Sequence, residues 1–98
     1  MNYSENLSTF KEIHIRIQQR NTRQSITIVE GFEFDKKLLE NIVRDLKKEL
    51  NCNGTLKQGT KNGPGRTIQL HGDHREALRK YLVKNKLARS EDIRMHGF

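Results

Sequence analysis

Between Ile13 and Glu30 the apolar positions recur at every second residue. Ile13, Ile15 and Ile17 alternate with His14, Arg16 and Gln18, the period that sends successive strand side chains to opposite faces. After the polar stretch from Gln18 to Gln24, Ile26 and Ile28 fall on one face of a second strand and Thr27 and Val29 on the other. The pattern predicts a β-hairpin, closed by Gly31, whose tip is too polar to bury. Asn21 is the expected turn residue, because its short amide satisfies nearby backbone groups and tolerates positive φ. Arg20 and Arg23 then project from a tip fixed by two paired strands, which limits the entropy lost when they grip a partner.

From Phe32 the period lengthens. Leu38, Leu39, Ile42, Val43, Leu46 and Leu50 recur at spacings of three and four, one face of a helix, with Asp35 as its expected N-cap. The other face carries Lys36, Lys37, Glu40, Arg44, Lys47 and Lys48; basic groups near a helix C-terminus also offset the helix dipole without any ligand. Asn51 to Gly54 ends the helix with residues that adopt left-handed backbone cheaply. A second hairpin follows, opened by Thr55 and Leu56 and closed by Arg66 to His71. Its connection, Gly59 to Gly65, is rich in glycine with one proline and must turn. Asp73 and Glu76 have the spacing of a capping box ahead of a second helix with Ala77, Leu78, Tyr81 and Leu82 on its apolar stripe. Ile93 and Met95 alternate with Arg94 and His96 in a short last strand.

The order β-β-α-β-β-α-β fits an α+β fold, a two-layer sandwich in which one sheet carries two helices on one face. Residues 1–11 read as a flexible N-terminal tail and residues 12–98 as one domain. A chain of 98 residues buries roughly 60–70% of its unfolded surface, so one modest core is expected.

Charge changes the picture most. The formal charge is +7 and the pI about 9.9, which favours an anionic partner such as nucleic acid or an acidic protein surface. No apolar run approaches the ~18 residues of a spanning helix, and no signal-peptide segment is seen, so no membrane partner is expected. The single Cys52 has no internal disulfide partner and fits a reducing compartment. It reads as a small buried hydrophobe without a metal-ligand spacing. The glycine-rich connection lacks the Lys-Ser/Thr ending of a phosphate loop. His71 and His74, three residues apart beside Asp73, are the best pair for acid-base chemistry, and their spacing is weak evidence for it. No enzyme activity, cofactor or metal is expected.

Four stretches carry a resemblance. Ile13 to Asn21 (IHIRIQQRN), Cys52 to Thr55 (CNGT), Ile68 to Arg75 (IQLHGDHR) and the terminal His96-Gly97-Phe98 closely resemble eukaryotic translation initiation factor 1, in the right order and over nearly the whole chain from Glu12. The resemblance implies a non-enzymatic cytoplasmic factor, a monomer, that binds small-subunit rRNA near the P site, promotes scanning and enforces AUG selection. Release on codon-anticodon pairing and contacts with other initiation factors are implied with it. Carried over by position, the rRNA contacts are Arg20, Asn21 and Arg23 in the tip and Arg44, Lys47 and Lys48 on the first helix. The second connection is implied to face initiator tRNA, with Lys57, Lys61, Asn62 and Arg66 as its tRNA-proximal residues. It departs from the family pattern by being longer, glycine-rich and basic. Thr22 and Gln24 stand where the family has Gly and Lys. The alternatives are a general structured-RNA-binding module using the same basic face, and a small RNase using His71, His74 and a nearby cation.

Overall fold

The computed structural model describes residues 12–59 and 65–97. The expected tail, and Lys61 and Asn62 of the second connection, lie outside the described residues. The two alternating runs form β1 (Ile13–Gln19) and β2 (Ser25–Glu30). The residues with three-and-four spacing form helix α1 (Lys36–Glu49), whose first turn is capped by the Asp35 carboxylate accepting from the Leu38 N–H at 2.9 Å. β3 (Gly54–Lys57) and β4 (Thr67–His71) make the second hairpin. Helix α2 (Arg75–Lys84), a 3-10 turn at Ser90–Asp92 and β5 (Ile93–Met95) complete the described chain.

The five strands form one sheet in the order β3-β4-β2-β1-β5, antiparallel throughout except that β5 runs parallel to β1. The fold is α+β, as the sequence pattern predicts. Register settles which face of β2 is inward. Val29 lies opposite Ile15 and Ile68, and Thr27 opposite Ile17 and Leu70. Thr27 and Val29 are therefore in the core, sealed with Leu39, Ile42, Val43 and Leu46 of α1 and Leu78 and Leu82 of α2. Ile26 and Ile28 point to the other face of the sheet, opposite Gln18 and Arg16 of β1, where Ile26 is nonetheless buried and Ile28 half-buried. At the margins of the core, Leu38 is 37% exposed and Met95 39%; both were expected to be apolar contacts, and both lie at the rim of their elements.

The junction between β4 and α2 is built differently from the expected capping box. His74 occupies the N-cap position without a side-chain cap bond. The Asp73 carboxylate is instead held by the Arg75 guanidinium through Nε at 2.9 Å and Nη2 at 2.8 Å, and Glu76 is taken by Arg79. The paired Arg75 guanidinium keeps the Asp73 carboxyl below its usual range, mainly through the side-chain hydrogen bond. Thr27 supplies the missing order from the sheet: its hydroxyl donates to the Gly72 carbonyl at 2.7 Å and accepts from the His74 N–H at 2.8 Å. Asp73 Oδ1 also accepts the Arg75 backbone N–H, at a longer 3.4 Å, so the carboxylate serves the first residue of α2 weakly while the charge-assisted guanidinium pair holds it.

Two glycines are fixed by space. At Gly54 a Cβ would stand 2.6 Å from Leu70 Cδ2 and 3.1 Å from the Gln69 carbonyl oxygen, so the β3 edge approaches β4 closely. At Gly31, φ is +107° and a Cβ would meet the Glu12 carbonyl oxygen at 2.3 Å, which accounts for a glycine where β2 turns toward α1. The left-handed residue at the end of α1 is Asn51, at φ 51°.

The two helices are tied at the surface by half-buried Tyr81, whose hydroxyl donates to Asp45 Oδ2 at 3.3 Å. Burial, and then the nearby Asp45 and Glu49 carboxylates, push its phenol up to about 12 from 10.0. The folded state thus holds the proton more tightly than the unfolded chain, so this contribution is complete below pH 10 and is lost as pH rises toward 12. Urea denaturation midpoints should fall over that interval, and Tyr81→Phe should remove the alkaline fall.

Candidate nucleic-acid interface

The turn between β1 and β2 is held by its own side chains. Asn21 Oδ1 accepts from the N–H groups of Arg23 at 2.9 Å and Gln24 at 3.0 Å, the Gln19 side chain donates to the Asn21 carbonyl at 2.6 Å, and the Arg20 N–H donates to the Gln24 carbonyl at 2.8 Å. Asn21 is thus a scaffold for the tip, as its turn chemistry predicts. The tip needs no left-handed residue: among the described non-glycine residues only Asn51 and Lys86 have positive φ. Thr22 is therefore accommodated without strain. Arg20 and Arg23 extend from this rigid turn, both exposed.

Arg44, Lys47 and Lys48 lie on the exposed side of the C-terminal half of α1. Together with Glu40, Val43 and Cys52 they line a shallow groove of about 520 Å³. The Lys47 stem packs over the β3 edge, its Cγ 3.4 Å from where a Gly54 Cβ would be. Cys52 is half-buried, and burial pushes its thiol up while Lys47 pulls in the opposite direction.

Register places these two groups at the same end of the sheet. Gly54, Leu70, Thr27 and Ile17 lie in one row across β3, β4, β2 and β1. The next row holds His71, Ile26 and Gln18, with the His71 N–H donating to the Asn53 carbonyl at 2.8 Å. Just beyond it come the hairpin tip, the end of α1 and the start of α2. With strands about 4.8 Å apart, β3 and β1 are separated by roughly 14 Å, and the two basic groups flank one edge of the domain. Lys57 and Arg66 belong to the opposite end, where β3 leaves and β4 enters the sheet. Lys57 is exposed and Arg66 half-buried, with a buried Nε that has no hydrogen-bond partner among the described residues.

The nine arginines divide by partner. Arg16, Arg75, Arg79, Arg89 and Arg94 are neutralised by Glu30, Asp73, Glu76, Asp92 and Glu12. Among the described residues Arg20, Arg23 and Arg44 make no ion pair, and neither do Lys47 and Lys48. Arg66, Lys36, Lys37, Lys57, Lys80, Lys84 and Lys86 make none either among the described residues, so unpaired positive charge is spread over several faces, and the tip with the end of α1 is one place where it gathers. Sequence reading cannot see this partition, because Arg16–Glu30 and Arg94–Glu12 are pairings made by the sheet.

Two further features escape the sequence. His14 Nδ1 and His96 Nε2 are 2.9 Å apart with their rings stacked, brought together by the parallel pairing of β5 with β1 across 82 residues. Nothing short of that pairing signals them, though both fall on the polar side of their alternating runs. Arg75 also donates to the His96 carbonyl at 3.1 Å, fastening the end of the described chain to α2. His71 and His74 do not converge as a catalytic pair: the His74 ring is spent on the His71 backbone carbonyl at 2.8 Å.

A family model described as "Translation initiation factor SUI1" matches residues 9–88. The protein translation factor SUI1 homolog of Brassica oleracea is 43% identical over 90 residues, covering 92% of this chain and 77% of the relative. The protein translation factor SUI1 homolog 1 of Arabidopsis thaliana is 42% identical with the same coverage of each chain. Among solved structures, the C-terminal domain of human eIF2D is similar in fold, with a TM-score of 0.72 at 16% identity over 87% of this chain and 42% of that one. With the family match spanning most of the domain, the chain belongs to the SUI1 family of translation initiation factors.

Proposed function

We propose that this chain binds the small ribosomal subunit near the P site, promotes scanning and enforces selection of AUG, leaving when codon and anticodon pair. The observation that carries this reading is the gathering of unpaired cations, Arg20 and Arg23 with Arg44, Lys47 and Lys48, at one end of the sheet. Phosphate contacts of this kind position a protein without reading bases, and structured RNA is recognised mostly by shape. Asn21 acts by fixing the tip. Lys57 and Arg66, with Lys61 and Asn62 between them, would face initiator tRNA from the opposite end of the domain, so that tRNA seating and factor occupancy oppose each other reciprocally. The factor works as a cytoplasmic monomer, without catalysis, metal or cofactor, alongside other initiation factors. Residues 12–98 form the ribosome-binding domain and 1–11 its tail.

In a translation extract depleted of its own factor, adding the chain should restore the preference for AUG over UUG reporters. A general RNA-binding module would change total translation and leave the UUG to AUG ratio untouched.

A further inference from the structure

The groove on α1 offers more than phosphate contacts need. Between the cations Arg44, Lys47 and Lys48 its floor is formed by Val43 and half-buried Cys52, and Glu40 stands at its far end. It is open and shallow, about 520 Å³, room for one base laid against the helix and not for a ligand enclosed on all sides. We propose that this groove receives a single unpaired nucleotide carrying an exocyclic amino group, adenine, cytosine or guanine; the inference rests on reading the α1 surface as an rRNA contact.

The polarity of the groove fixes the orientation of its occupant. Lys47 and Lys48 lie at the C-terminal end of α1 and take the phosphate, where no described acidic group neutralises them. Glu40 precedes Lys47 by seven residues, about 10 Å of helical rise. Its carboxylate repels phosphate and accepts hydrogen bonds only, so it favours a base that presents an exocyclic amino group over uracil, which offers a single ring N–H between two carbonyls. Arg44 lies between the two, and its planar guanidinium can stack on a base while keeping its charge. Duplex RNA cannot occupy the floor, because its bases are stacked within the helix.

The test titrates the isotope-labelled full chain with tetra-adenylate, tetra-uridylate, a short RNA duplex and inorganic phosphate, followed by NMR. Tetra-adenylate should shift the Val43 methyl and Cys52 amide signals and bind several-fold tighter than tetra-uridylate, while the duplex and phosphate move only Lys47 and Lys48. Arg44→Lys, which keeps the charge and removes the plane, should weaken tetra-adenylate about fivefold, and Glu40→Gln should level the base preference. Equal response to uridylate, floor shifts with duplex, or an Arg44→Lys variant of unchanged affinity would overturn the inference. Binding of purified small subunits is measured in parallel. Subunits bound one-to-one beside a silent floor would overturn the nucleotide alone, whereas absent subunit binding would overturn the reading beneath it.

Discussion

Arg20→Glu combined with Lys47→Glu is expected to weaken binding to the small ribosomal subunit by on the order of 100-fold and to raise initiation at UUG. Each side chain is exposed and makes no ion pair among the described residues, so each change removes a contact without freeing a buried partner. A hydrogen bond to a charged group contributes about 1.5 kcal/mol at the low end, and two such losses give roughly that factor. The two sites stand on separate elements roughly 14 Å apart by strand spacing, far enough for their effects to be near additive. The slope of log affinity against log salt should become shallower by about two contacts. Lys80→Glu with Lys84→Glu is the control: it removes the same formal charge from α2, away from the cluster, and should leave affinity and fidelity nearly unchanged. Equal weakening by both pairs would mean that net charge alone, and no particular face, holds the subunit.

Thr27→Val should destabilise the fold by about 3 kcal/mol, although the two side chains have nearly the same shape. Thr27 is fully buried and its hydroxyl serves both the Gly72 carbonyl and the His74 N–H. Valine strands those two backbone groups, at about 1–3 kcal/mol for each one left unsatisfied. Thr27→Ser keeps both hydrogen bonds, loses one methyl and should cost only about 1 kcal/mol. Urea titration reads both variants, and a valine variant as stable as the parent would show that water or a shifted backbone meets those groups instead. The consequence reaches the site, since the junction held by Thr27 lies at the same end of the sheet as the hairpin tip.

The alternation of Ile13 to Ile17, the stripe from Leu39 to Leu46 and the turn chemistry of Asn21 are local, so the order of elements and the shape of the tip could be read from the chain. Thr27 could not be placed inward by alternation, because Ile26 and Ile28 are the more apolar pair; only pairing with β1 and β4 decides it. Asp73 fitted a capping-box spacing, yet a guanidinium two residues on competed for the same carboxylate. The six residues expected to contact rRNA can be named from the sequence, but their common placement cannot. What brings them to one end is the register from Gly54 through Leu70 and Thr27 to Ile17, and what distinguishes Arg20 from Arg16 is a glutamate on the neighbouring strand.

The central claim, a specific and releasable hold on the small subunit, is tested by titrating labelled protein into purified eukaryotic small subunits. An excess of unrelated structured RNA is present throughout, with and without initiator tRNA and an AUG message. Saturation at one copy per subunit, resistance to the competitor and release with AUG but not with UUG are the predicted results. Binding erased by the competitor, or occupancy unchanged when AUG pairs, would contradict the account.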